Sequence, residues 1–343
     1  MIALSFSFPH HGKFSSYHRL LHYLDKDDTV VDATLPPWTY QRLCNPRGLT
    51  QKAYRSWKES AAWSHANKSN SDWMHYLYPE HGYYKGKKYR QGQTRIAMSC
   101  HLPKNTLEAH AEIYTRLCEG FSIADALIVM SPDYVEYYQQ LAPRAEVRFI
   151  PHGIDIHYFC PGKVRQADKT EIQILTVGTM LRDFKTLASL INLAVNEGKN
   201  WKFVLLSNQE SLDTLQSTLT AKGMEKVRLL RGIGNEELLR LYQESALLYL
   251  PLLDATANNA VVESMACGLP MLLTDFPATR AYAGDTAFYV KQGDYSGAFE
   301  QMNQLLSSPS KLEEAASKAR HHAVTELAWE AIIQKHQKLF EEA

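Results

Sequence analysis

Two loops in the second half of the chain hold side chains whose types and spacing suit chemistry. Arg182 and Lys185 stand in V-G-T-M-L-R-D-F-K-T-L, between an apolar run and a helical pattern. Fixed cations at such a junction stabilise an anionic group more as it gains charge than before, which is how binding energy becomes rate. Glu263 stands in N-N-A-V-V-E-S-M-A-C-G-L-P, one turn into a helix, placed to accept hydrogen bonds from sugar or ribose hydroxyls. The N–H groups of Asn258, Asn259 and Ala260 fall in the first turn of that helix. Donors there lack intrahelical partners, and the helix dipole favours a phosphate. The plainer reading is an ordinary βαβ unit with a solvated Glu263 and an Arg182–Asp183 surface loop.

Both loops need the same support, a strand before and a helix after. Residues 171–177 form an apolar run that predicts a strand, and a helix begins near Lys185. Residues 249–253 predict a short buried parallel strand. Residues 254–259 predict a polar loop, and 260–267 a helix with Val261, Val262, Met265 and Ala266 on its apolar side and Glu263 facing elsewhere. Gly268 and Pro270 stop that helix, and 271–274 predicts the next strand. Open α/β sheets bind ligands at the C-terminal ends of parallel strands, so the order of elements puts both loops where a ligand belongs.

Other strands are predicted at 2–8, 95–100, 126–130, 147–150, 201–207 and 227–230, with helices over 16–24 and 106–120. His101 ends one strand, Arg231-Gly232 follow another, and Gly12 lies in the P-H-H-G-K turn after the first. Ser131 is placed to cap a helix. Residues 36–93 read as irregular and aromatic-rich, with Trp38, Trp57, Trp63 and Trp73. These aromatics fit either a core or an acceptor groove. Lys85, Lys87, Lys88 and Arg90 fit either a solvated loop or a peripheral contact with anionic lipid.

At 343 residues the chain has room for two domains. Lys+Arg and Asp+Glu balance at 37 each, which gives no general case for nucleic acid. Five dispersed cysteines without a C-x-x-C pair read as reduced thiols of a cytosolic protein. The N-terminal run lacks a basic segment before it and reads as a first strand, not a signal peptide. No stretch is apolar for long enough to predict a spanning helix, and no H-E-x-x-H or paired-aspartate metal motif stands out.

The run V-V-E-S-M-A-C-G-L-P resembles the signature of the retaining GT-B glycosyltransferases of family 4, the group 1 enzymes. The usual form there is an acid, seven residues, a second acid, then A-M-A-C-G-x-P. Glu263 matches the second acid, while Ala255 occupies the place of the first and Asp254 lies one residue early. The segment I-P-H-G-I-D at 150–155 resembles I-P-N-G-V-D, which closes the first domain in this family. Ala328-Trp329-Glu330 resembles its closing F-S-W-[DE] helix. The usual V-G-R-L-x-x-x-K-G reads V-G-T-M-L-R-D-F-K here, with Thr179 where the Arg is usual, as in a variant branch.

The resemblance implies an α/β GT-B fold of two Rossmann-like domains facing a cleft: 1–158 on the acceptor side, 159–325 for the nucleotide sugar, and 326–343 as a helix crossing back to the first domain. It implies a hexosyl transfer with retention from a nucleoside-diphosphate sugar, with UDP the expected nucleotide. The acceptor would be a glycan, lipid or small molecule, and no separate cofactor or metal would be needed. It places Arg182 and Lys185 on the diphosphate, His101 beside the transferred sugar and Glu263 on the ribose. Asn258, Asn259 and Ala260 complete the donor site, with Arg231 and Gly232 near the nucleobase and Gly12 in a loop over the donor. The leaving diphosphate itself would take the acceptor's proton. Ala255 and Thr179 keep a second expectation open, a donor-binding partner protein without catalysis. A sugar-nucleotide epimerase on the same fold is a third. The expected location is the cytoplasm or its membrane surface.

Overall fold

The computed structural model describes residues 1–5, 14, 16–34, 49–162 and 171–343. Two compact units emerge. Unit 1 holds Met1–His11, Ser16–His152 and Trp329–Ala343; unit 2 holds Gly12–Ser15 and Gly153–Ala328.

Unit 1 is built on strands β1 (Ile2–Ser5), β2 (Thr29–Asp32), β3 (Trp73–Tyr76), β4 (Arg95–Cys100), β5 (Ala126–Val129) and β6 (Glu146–Phe149). They lie in the order β2-β1-β3-β4-β5-β6, every neighbouring pair parallel. The four inner strands are buried runs, A-L-I-V in β5 for instance, as a sheet covered on both faces requires. The terminal helix Trp329–Glu342 packs in this unit. Trp329, Ile332 and Leu339 are buried, His336 Nε2 lies 3.1 Å from Tyr17 Oη, and Arg148 pairs with Glu342 at 2.9 Å.

Unit 2 contains β7 (Ile172–Val177), β8 (Trp201–Leu206), β9 (Val227–Leu230), β10 (Leu247–Leu250), β11 (Met271–Thr274) and β12 (Phe288–Val290). The order is β12-β11-β10-β7-β8-β9, again all parallel. Numbered within the unit this is 6-5-4-1-2-3, the doubly wound arrangement whose strand order reverses between its first and fourth strands. Those two are β7 and β10. The helix Phe184–Asn196 covers one face with Leu187, Leu190, Ile191 and Ala194, packed against Phe203 and Tyr249.

Several expectations need correcting. The stretch read as irregular contains a helix of 21 residues, Leu49–Ser69, which has neither Gly nor Pro to stop it. Strand β2 was not foreseen, being short and alternately exposed. Within residues 36–93, the aromatic run 73–78 suggests a strand, and the one that forms, Trp73–Tyr76, ends two residues earlier. The single helix over 106–120 is two, Lys104–Ala109 and Ala111–Phe121. Ser131 makes no side-chain cap and bonds to the Asp133 side chain instead. The segment expected as a helix over 16–24 is the 3-10 helix Tyr17–Tyr23. Residues 6–8, Gly12, Ser15 and Trp38 lie outside the described residues.

Candidate functional site

The loop after β7 is built to turn one side chain inward. Gly178 has φ 106° and Leu181 φ 59°, conformations that only glycine adopts without strain. Between them the chain doubles back, and Arg182 folds over the end of its own strand. Its Nε donates to the Val177 carbonyl at 2.9 Å and one terminal nitrogen to the Met180 carbonyl at 2.9 Å. A Cβ on Gly178 would stand 2.4 Å from the other terminal nitrogen, so the guanidinium occupies space that only glycine leaves. Thr179 ties the loop to β8's end through Ser207 Oγ, 3.1 Å away. Asp183 is no surface partner of Arg182. It caps the helix, accepting from Thr186 N at 3.0 Å and Thr186 Oγ1 at 2.7 Å.

The loop after β10 meets this loop directly. Asp183 N donates to Pro251 O at 3.0 Å and Leu253 N to Leu181 O at 2.9 Å, and Arg182 bridges Leu252 in antiparallel fashion. These contacts use residues expected at the end of a strand; β10 stops at Leu250 because the chain leaves the sheet to pair with the β7 loop. The next helix is Asn259–Cys267, capped by Asn258. Asn258 Oδ1 accepts two hydrogen bonds, from Ala260 N at 3.1 Å and from Arg182 at 3.2 Å. This corrects one expectation: the Ala260 amide is satisfied by the cap and does not point outward. The amides of Asn258 and Asn259 remain the backbone donors of that turn. Gly268 ends the helix in the left-handed region, at φ 63°, as its position predicts.

Glu263 is not a solvated residue. It is 2 % exposed, on a helix buried on every side, so the expected amphipathic division does not exist. One carboxylate oxygen, Oε2, accepts from Tyr242 Oη at 2.6 Å. Tyr242 lies on the helix Asn235–Glu244, and burial, then Glu263, pushes its hydroxyl well above the usual tyrosine range. It therefore stays a donor. Desolvation lowers the Arg182 pKa to about 10, opposed by the charges of Tyr242 and Glu263. Arg182 is thus protonated at neutral pH, and its hydrogen bonds run to neutral oxygens. No carboxylate pairs with it within 4.0 Å among the described residues. A partly buried cation without an ion pair is costly, and an anionic ligand would relieve that cost.

The arrangement gathers Arg182, Asn258, Glu263 and Tyr242 at the junction of β7 and β10. Lys185, Arg231, Gly232 and His101 have other surroundings. Lys185 is exposed on the second position of its helix. Arg231 donates to Gln209 Oε1 at 2.7 Å, and Gly232 has φ 59°; both belong to the β9 end of the same sheet. His101 belongs to unit 1, where Nε2 is 2.8 Å from Leu77 O and the ring stacks on Tyr78 at 4.6 Å. Ala255, in place of an acid, is 6 % exposed.

Sequence reasoning missed Tyr242 and Gly178. Tyr242 signals itself only as an aromatic on the apolar side of its helix, and Gly178 only as a glycine at a strand end. It missed too that Met180 and Leu253, 66 % and 51 % exposed, bring large apolar side chains to the rim of the two loops.

Residues 171–308 match the family model described as glycosyl transferases group 1. Over 206 residues the chain is 21 % identical to an MMP alpha-(1->4)-mannosyltransferase of Mycolicibacterium hassiacum, a match covering 58 % of this chain and 49 % of that protein. The chain thus spans about half the length of that curated relative. Among solved structures it resembles the sucrose-phosphate synthase of Thermosynechococcus elongatus, with TM-score 0.77, 17 % identity, and 99 % and 98 % of the two chains covered. It also resembles a glycosyltransferase of Rickettsia africae, with TM-score 0.71, 11 % identity, and 99 % and 97 % covered. Two parallel six-stranded sheets flanked by helices are the GT-B architecture.

Proposed function

We propose that the chain, whose residues 171–308 match the model for group 1 glycosyl transferases, moves a hexosyl group from a nucleoside-diphosphate sugar to an acceptor, with retention at the anomeric carbon. The observation that carries the reading is the Arg182 guanidinium. It is held between two loop–helix junctions at the reversal point of a doubly wound sheet, without an ion pair among the described residues. That is where such sheets bind nucleotides, and a diphosphate supplies the missing anion. In this reading Arg182, with Lys185 and the amides of Asn258 and Asn259, stabilises charge as the sugar departs. Glu263 holds the ribose hydroxyls. The same-face leaving group takes the acceptor's proton, so an acid at position 255 is not needed as a base.

Nucleotide choice is tested by thermal shift with UDP, GDP, ADP and TDP. UDP is expected to stabilise most, by about 2.7 kcal/mol at about 100 times Kd, and Arg182→Ala is expected to abolish the shift. Equal, negligible shifts with all four would remove the reading.

Glu263 and Tyr242 give a graded prediction. Glu263→Ala is expected to raise the donor KM about 10- to 100-fold with kcat changed far less, the scale of one hydrogen bond to a charged group. Tyr242→Phe keeps the carboxylate but frees its orientation, and should raise KM about threefold to tenfold. Steady-state kinetics at varied donor concentration separates these outcomes. A fall in kcat with KM unchanged would place Glu263 elsewhere in the chemistry.

One observation favours a second reading, a donor-binding protein without turnover. Thr179, where the family has a cation, is spent on Ser207, and Ala255 is buried. Binding of UDP without transfer or hydrolysis across a panel of UDP-sugars would decide for it.

A further inference from the structure

Unit 1 carries a charged face that the donor chemistry does not use. The helix Leu49–Ser69 and the segment 83–91 are joined side by side. Glu59, fully buried, accepts from Tyr76 Oη at 2.9 Å, Tyr84 N at 3.0 Å and Lys85 N at 2.8 Å. Asn67 Nδ2 donates to Tyr89 O at 3.1 Å. The clamp consumes the one acid that the two segments contain. Left on the outside are Lys58, Lys68, Lys85, Lys87 and Lys88, none with an ion pair among the described residues. Two further cations, Lys52 and Arg90, pair with Glu112 and Asp125. In a chain whose charges balance at 37 against 37, so many unpaired lysines on adjoining segments create a local positive field.

The same face exposes an aromatic ring. Trp57 is 61 % exposed. Tyr54 lies 5.9 Å from it, ring to ring, and Lys58 Nζ 5.4 Å. A groove of about 290 Å³ runs between the segments, lined by Trp63, Asn67, Lys68, Lys88, Tyr89 and Gln91. An exposed indole beside lysines suits the boundary between headgroups and acyl chains, where tryptophan is amphipathic enough to sit and lysines reach phosphates. Single-stranded nucleic acid would call instead for aromatic rings set along a basic track to stack successive bases. No helix among the described residues is long and apolar enough to cross a membrane.

We propose that this face docks the protein on an anionic lipid surface. Trp57 enters the interface, the five lysines meet the headgroups, and the groove between Lys68 and Lys88 takes a headgroup phosphate. The proposal is independent of the donor reading, since none of these residues belongs to the β7–β10 junction.

The test is co-sedimentation of the intact protein with phosphatidylcholine vesicles, with and without phosphatidylglycerol, at low and raised salt. The protein is expected to bind only the anionic vesicles and to leave them as salt rises. Lys68→Glu/Lys87→Glu/Lys88→Glu is expected to lose at least about 100-fold in partitioning, since each basic residue near an anionic leaflet contributes about fivefold. Trp57→Ser should weaken binding about tenfold. Both variants should keep the wild-type circular dichroism and the UDP-induced thermal shift. Failure to bind anionic vesicles, equal binding to neutral ones, or wild-type binding by the folded triple variant would overturn the proposal. So would tighter binding to single-stranded DNA than to vesicles at the same salt.

Discussion

Arg182→Ala is expected to lower kcat/KM by about 10²–10³, the scale of one lost contact to developing charge. The guanidinium's hydrogen bonds to Val177 O, Met180 O and Asn258 Oδ1 fix its direction before any ligand arrives. That preorganisation makes it worth more than a mobile surface cation. Arg182→Lys should recover only part of the loss, because a point charge cannot reach three acceptors in a fork. Lys185→Ala should cost about tenfold: Lys185 is exposed, and its charge acts through water as well as protein. Initial rates with the nucleotide sugar selected by thermal shift provide the measurement. Wild-type rates in both alanine variants would sink the assignment of the diphosphate site.

Gly178→Ala should be nearly as damaging, although position 178 touches no substrate. Two effects act together. Backbone at φ 106° is strained for any residue with a Cβ, costing about 1–3 kcal/mol. The added methyl would also stand 2.4 Å from the Arg182 guanidinium. The guanidinium is the movable partner, so it leaves its seat. The expected result is a kcat/KM loss approaching that of Arg182→Ala together with a lower Tm. Adding Gly178→Ala to Arg182→Ala should then cost stability but little further activity, because the contact it disrupts is already gone. Retention of full activity in Gly178→Ala, or additive losses in the double variant, would show that Arg182 does not act from the seat seen here.

The same residues mark how far sequence carries. The repeated strand–loop–helix pattern, the apolar runs of β7 and β11, and the stop at Gly268 are local signals, dictated by burial, period and backbone freedom. They are enough to read an α/β fold with two strand–loop–helix junctions; it is the family resemblance that assigns Arg182, Asn258 and Glu263 to one ligand. The helix Leu49–Ser69 is equally local, but its apolar residues do not mark one clear face. What no local signal could supply is how distant segments meet. Arg182 reaches Asn258 because β7 and β10 are neighbours in the sheet, although 76 positions separate the two residues. Glu263 became a buried acceptor because Tyr242, from a helix elsewhere in the unit, covers it. The sequence by itself determined the elements and the chemical types at their ends, since propensity and period act between near neighbours. Only the tertiary structure decided burial, partner and direction for each of those groups, since desolvation and hydrogen bonding depend on what the folded chain brings against them.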